Sequence, residues 1–214
     1  MVTTMSSLEW VRAPQQARSQ DTLARLLDAA EALLEELPWD AITVAALVQR
    51  GKSSVGAFYA RFPDKDSLLQ HLHARRSTEA TRTADMALAR DRWTGVSLPG
   101  LVRALVTFQA REYAEHAGFH REIVRRNSVD PRFRERSSRV AAHTCRLIAA
   151  LLEEREVKDA LSAADMVHRL LFSVLDQHVQ FFDRPAGVRA MTADELVDEI
   201  VRACLGYLRT PELA

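Results

Sequence analysis

Cysteine, lysine and long apolar runs are scarce in this sequence of 214 residues. Its two cysteines, Cys145 and Cys204, have no C-x-x-C spacing and no cysteine-rich surroundings, which fits a reducing compartment and leaves both as core filler. Nowhere do about 18 uninterrupted apolar residues occur, so no membrane-spanning helix is expected. The first dozen residues, MVTTMSSLEWVR, lack the apolar centre of a signal peptide. These absences point to a cytoplasmic protein without a membrane partner. The formal net charge is zero, so bulk charge favours neither nucleic acid nor membrane. Enzyme signatures are missing too: there is no H-E-x-x-H, no G-x-S-x-G and no cysteine cluster. His71-x-His73 and His143-x-Cys145 do not replace them, because residues two apart on a helix do not face each other. No catalytic residue, metal site or cofactor is expected.

What is present is helical periodicity. Leu23, Leu26, Leu27, Ala30, Leu33, Leu34 and Leu37 recur at intervals of three and four, giving a first helix with one apolar stripe that ends near Pro38. Thr43 can N-cap a short second helix over 44–50. A tight turn at 51–53 leads into a third helix over about 54–61, stopped at Phe62-Pro63 because a residue before proline is pushed out of helical geometry. Asp64 caps a fourth helix carrying Leu68, Leu69 and Leu72. Two short helices joined by a glycine turn behind a longer one have the spacing of a helix-turn-helix unit. Phe58 and Phe62 should pack inward on the first helix. By the same periodicity Val55 falls inward with Phe58, while Ser54, Gly56, Ala57 and Ala60 give the third helix a low profile suited to a major groove.

Gly51-Lys52-Ser53 could also be read as the end of a nucleotide-binding phosphate loop. That pattern needs glycine at position 46, where this chain has Ala, and a strand before the loop. Ile42-Thr43-Val44 is only a scrap of strand, and no comparable β-branched run recurs. Local charge favours nucleic acid instead. Between Ala41 and Phe62 there is no acid, while Arg50, Lys52 and Arg61 surround the turn and third helix. Two of the chain's three lysines, Lys52 and Lys65, lie in or beside this segment. The acids crowd the end of the first helix, where they would face away from a phosphate backbone.

The ordered set Ala30, Thr43, Ser54, Gly56, Phe58, Tyr59, Phe62, Lys65, Leu68 and Leu69, within LLDAAEALLEE and TVAALVQRGKSSVGAFYARFPDKDSLL, resembles the amino-terminal DNA-binding domain of the TetR family of bacterial transcriptional regulators. The resemblance covers about a quarter of the chain. It implies phosphate contacts from Thr43, Tyr59 and Lys65, and base-edge contacts from Ser54, Val55, Gly56 and Ala57, so that Val55 faces DNA. Lys52, Ser53 and Arg61 complete the expected DNA-binding set. Two positions depart from the family pattern: Lys52 stands where the turn glycine is usual, with Gly51 one place earlier, and Ser53 stands where an apolar residue is usual.

Beyond Arg76 the periodicity predicts more helices. Ser97 and Pro99 open one, Asp130-Pro131 opens another, and Gly118 marks a break between them; Ser162 with Asp165, and Thr192 with Glu195, read as capping boxes for the last two. Those two carry a broad apolar arc: Leu171, Val174, His178, Phe181 and Phe182 on one, and Val197, Ile200, Val201 and Cys204 on the other. An excess of this kind reads as a subunit interface. His116, His120, His143, His168, His178, Tyr113, Phe108 and Phe119 are candidate pocket-lining groups, none of them assigned as a site. The expected architecture is all-α: an arm over residues 1–20, a helix-turn-helix DNA-binding domain over 21–66, and a helical ligand-binding and dimerisation domain over 67–214. The expected partners are a double-stranded DNA operator, an unknown small-molecule effector and a second copy of the chain. The alternative is a small-molecule-binding or catalytic helical protein without DNA binding.

Overall fold

In the computed structural model residues 9–181 and 190–209 are described, and among them every regular element is helical. The first eight residues of the expected arm, and Phe182, lie outside the described residues. The chain divides into two compact units, with the boundary between His73 and Ala74.

The first unit is built on α1 (Glu9–Glu36), whose Leu26, Leu27, Ala30, Leu33 and Leu34 are buried as the stripe predicts. Leu37, the last member of that stripe, is instead 43% exposed, because α1 has already ended and the chain turns at Pro38. The residue that goes inside is Trp39, in a single tight turn over Trp39–Ala41. Then follow α2 (Val44–Arg50), α3 (Val55–Tyr59) and α4 (Lys65–Ala87), the last begun by Asp64, whose carboxylate accepts from the Ser67 amide at 2.7 Å. Helix α3 is shorter than its periodicity suggests. After Tyr59 the amides of Arg61 and Phe62 both turn back to the Phe58 carbonyl, and the chain leaves the helix before Pro63. Phe58 and Phe62 are fully buried, with ring centroids 5.4 Å apart.

The second unit comprises the rest of α4, then α5 (Leu98–Glu115), α6 (Ala117–Val129), α7 (Pro131–Glu153), α8 (Ala160–Gln180) and α9 (Ala193–Arg209). Ser97 and Asp130 cap α5 and α7 as expected, each followed by proline in the first turn. Thr192 and Glu195 form the reciprocal capping box of α9, with bonds of 3.2 and 2.9 Å. The other expected box fails: α8 starts at Ala160 behind Asp159, which has a left-handed φ of 43°, so Ser162 and Asp165 lie inside the helix. Likewise the break before α6 falls at His116, and Gly118 is buried in the first turn of α6.

The apolar arc of α8 and α9 is consumed largely within one chain. Leu171, Ile200, Val201 and Cys204 are buried in a core shared with Val102, Val106 and Tyr113 of α5. Val174 and Val197 are half-buried at its edge, and His178 is exposed. A second core joins Leu101 to Cys145, Ile148, Leu151 and Leu152 of α7 and Ala164 of α8. Both cysteines are therefore core residues, and burial pushes the Cys204 thiol up to about 11.

Candidate nucleic-acid interface

Helices α2 and α3 are each started by a side-chain hydroxyl. Thr43 Oγ1 accepts from the Ala46 amide and Ser54 Oγ from the Ala57 amide, both at 3.1 Å. Each hydroxyl keeps its own proton to donate outward, and both residues are exposed.

The turn between the helices shows what the departures at Lys52 and Ser53 cost locally. The Lys52 amide bonds to the Gln49 carbonyl at 3.2 Å and the Ser53 amide to the Val48 carbonyl at 2.8 Å, which is the Schellman pattern of a helix C-terminus. In that pattern the residue past the cap takes left-handed geometry, and Lys52 does so, with φ 47°. Gly51 holds ordinary φ, −78°, and its glycine serves close packing instead. A Cβ there would lie 3.1 Å from the Leu47 carbonyl, 3.2 Å from that of Arg25 and 3.3 Å from the Leu26 side chain. Arg25 fastens the same turn through a 3.2 Å bond from Nε to the Gly51 carbonyl. The residue after the left-handed one normally makes an apolar contact back to the helix. Here it is Ser53, whose hydroxyl is buried without a hydrogen-bond partner among the described residues. Lys52→Gly and Ser53→Val should therefore each stabilise the first unit, by up to about 1 kcal/mol, through relief of left-handed strain and of an unpaired buried hydroxyl respectively. Thermal unfolding of the two variants checks this; a lower Tm in Ser53→Val would mean that the hydroxyl does have a partner.

The outer face of α3 presents Ser54, Val55, Gly56 and Tyr59, all exposed, with Ala57 half-buried beside them. Val55 is 49% exposed, which corrects its inward placement by periodicity. In a five-residue helix the first residue sits beyond the turn that packs inward. Tyr59 is 55% exposed, its ring edge-on to Phe58 at 5.3 Å. A Cβ added to Gly56 would meet no atom within 4 Å, and its φ is not positive, so neither packing nor backbone geometry asks for glycine there.

The cations divide. Lys52 is exposed. Arg50 pairs with both carboxylate oxygens of Glu36, at 2.7 and 2.9 Å, so the acids closing α1 do not all face away from the basic cluster. Arg61 Nη1 folds back onto the Ala57 carbonyl at 2.9 Å. Lys65 is half-buried, its ammonium 2.8 Å from the carbonyl of Trp39, 2.9 Å from that of Ile42 and 3.4 Å from that of Asp40. Trp39 is the residue that sequence reasoning missed. A buried indole must place its N–H, and Asp66, beside Lys65, accepts it at 2.7 Å.

A family model, "Bacterial regulatory proteins, tetR family", matches residues 26–72. This is a TetR-family amino-terminal domain. No curated protein matches the chain. Among solved structures it is similar to Salmonella enterica GusR, at 18% identity and TM-score 0.62, covering 88% of this chain and 96% of that one. It is also similar to E. coli NemR in its reduced form, at 15% identity and TM-score 0.64, covering 90% and 100%. A third is the TetR family transcriptional regulator PfmR of Thermus thermophilus, at 21% identity and TM-score 0.58, covering 88% and 99%. The TetR-type domain supports a DNA-binding transcriptional regulator, and the similarity in fold extends through the second unit. Among the described residues no helix is long and apolar enough to cross a membrane.

In the second unit some of the candidate pocket groups come together and others do not. Tyr113 stacks on His120 at 3.9 Å, Phe119 meets the same imidazole edge-on at 5.5 Å, and the Tyr113 hydroxyl donates to Asp176 at 2.7 Å. Arg76 pairs with Glu112 and lies over the Phe119 ring. His116 lies 4.0 Å from the same carboxylate, His143 is bound to Asp85 at 2.6 Å, and His168 stacks on Phe172. Phe108 and His178 are exposed. Glu112, Glu115 and His116 are close enough to share a cation, but Glu112 is already engaged by Arg76 and no metal is assigned.

Burial holds the Asp176 carboxyl above its usual range, with the Tyr113 hydrogen bond opposing, and the Tyr113 phenol well above its own, through burial and then Asp176. An acid whose folded pKa is raised weakens the fold when ionised, so this term improves as pH falls through the folded pKa toward the unfolded value. Asp176→Asn keeps an acceptor for Tyr113 and should stabilise the protein near pH 7, a gain that shrinks in acid. Denaturant titrations at pH 7 and pH 4 check the sign.

Proposed function

We propose that this chain is a ligand-responsive repressor that binds a palindromic operator as a homodimer. In this reading residues 21–66 read DNA and residues 67–214 bind the effector and dimerise. The observation that carries it is the outer face of α3, where Gly56 leaves an open, low surface that the protein's own packing does not require. A helix entering a major groove does require it. Ser54 and Ala57 stand beside that glycine as the other base-edge contacts, with Val55 offering an apolar contact to a thymine methyl. Thr43 and Tyr59 flank them with hydroxyls suited to phosphate, and exposed Lys52 adds attraction to phosphates at the turn. Switching follows if an effector prefers one of two arrangements of the second unit, and the Tyr113, His120 and Phe119 cluster is where we place its influence.

Twofold symmetry in the protein matches twofold symmetry in an operator. Since the inner part of the α8–α9 arc is spent within one chain, the proposed interface is carried by its outer members, Val174, Val197 and His178, with Phe181 at the end of α8. The test is selection of duplexes from a random pool by the full-length protein. Fluorescence anisotropy on the recovered sequences then follows over a salt titration. Inverted half-sites and binding that tightens as salt falls are expected; failure to retain any duplex at low salt would end this reading.

A further inference from the structure

We propose that Lys65 is a positioning residue for the DNA-reading surface and not a phosphate contact. An ammonium has three N–H donors and no more. Those of Lys65 face the carbonyls of Trp39, Ile42 and Asp40 at 2.8, 2.9 and 3.4 Å, and the charge sits 5.5 Å from the centroid of the Trp39 ring. To turn fully toward a phosphate this ammonium would have to give up its short bonds to the part-buried carbonyls of Trp39 and Ile42; the third, to Asp40, is longer and exposed. The neighbouring Asp66 completes the grip through its 2.7 Å bond to the Trp39 indole N–H, and the Trp39 side chain is fully buried. The first two residues of α4 thus hold both the backbone and the side chain of the segment joining α1 to α2. That segment ends at Ile42, and the next residue is Thr43, the N-cap of α2 and a proposed phosphate contact. Lys65 therefore fixes where the α2 amides and the Thr43 hydroxyl point, from behind the surface they form.

This inference rests on the DNA-binding reading and is separable from it. The experiment uses the full chain and a duplex selected by the unmodified protein, with affinity measured from about 50 to 200 mM salt, a range over which phosphate contacts dominate the change. Three variants are compared. Lys65→Met keeps an unbranched stem over Trp39 without donors, Lys65→Arg keeps the charge in a planar fork that cannot cup three carbonyls, and Asp66→Asn weakens the other half of the grip. All three should bind about tenfold more weakly, as expected for losing one charge-assisted hydrogen bond or more, with the logarithmic salt slope unchanged. Hydrogen exchange at the Ala46 and Leu47 amides, which bond to the Thr43 hydroxyl and carbonyl, should quicken in each. A direct phosphate contact gives a different pattern: the slope falls by about one unit in Lys65→Met, Lys65→Arg restores binding, and Asp66→Asn is silent. That pattern overturns the proposal, as does unchanged affinity in all three. Should Lys65→Met not fold, Lys65→Arg and Asp66→Asn decide alone. If the unmodified protein selects no duplex, the DNA-binding reading fails first and on its own.

Discussion

Replacing Gly56 by glutamate should abolish operator binding while leaving the protein folded. A side chain at this position projects from the outer face of α3 into open space, so the fold has no reason to resist it. In the proposed complex with DNA the same carboxylate would face phosphates and base-edge acceptors at groove depth. Like-charge contact across an interface costs several kcal/mol, which corresponds to a loss of at least about 100-fold in affinity. Alanine separates the two demands. In a helix it is preferred to glycine by about 1 kcal/mol, so Gly56→Ala should raise the melting temperature of the first unit even as it weakens binding. Anisotropy and thermal unfolding on the same preparations give both numbers. Normal operator affinity in the glutamate variant would remove α3 from the groove.

The second large effect concerns α8 and α9. Aspartate at both Leu171 and Ile200 should unfold the second unit, by more than about 5 kcal/mol in sum, because each site is buried in one chain's core and offers a carboxylate no partner. A subunit interface tested at these positions would give a false answer. Glutamate at His178 and Phe181, both exposed, instead spares the single-chain core. If this end of α8 meets a second copy, the double variant should sediment as a monomer with unchanged helicity and lose tight binding to a palindrome. Circular dichroism and sedimentation together tell dissociation from unfolding. An unchanged sedimentation coefficient for a folded double variant would place the interface elsewhere.

Some of this was legible in the residues and some was not, for physical reasons. Hydroxyl and carboxylate caps announce themselves locally, so Thr43, Asp64, Ser97, Asp130 and Thr192 were readable, whereas Ser54, placed inside the third helix by spacing, is its N-cap. Ser162 imitated a cap but lost to a chain reversal at Asp159, whose left-handed geometry no local pattern marks. Val55 misled because periodicity presumes a helix long enough to have two sides, and α3 has barely more than one turn. The grip of Lys65 and Asp66 on Trp39 joins residues about 26 apart in sequence, and spacing carries no trace of it. Charge patterning located the basic cluster around the turn but could not reveal that Glu36 reaches Arg50. The α8–α9 arc was counted correctly as apolar; how much of it α5 would cover depends on packing that periodicity does not encode.

The buried cysteines give the molecule a timepiece. Cys204 of α9 and Cys145 of α7 have almost no exposed surface, and both thiols are held above their ordinary acidity range by burial. The thiolate is the nucleophile that attacks an alkylating reagent and displaces its leaving group, so neither sulfur reacts until its helix lifts away from its neighbours. The first unit contains no cysteine at all. The rate at which label appears on the chain therefore counts openings of the second unit alone, and a bound small molecule that steadies that unit would slow the clock without touching either sulfur.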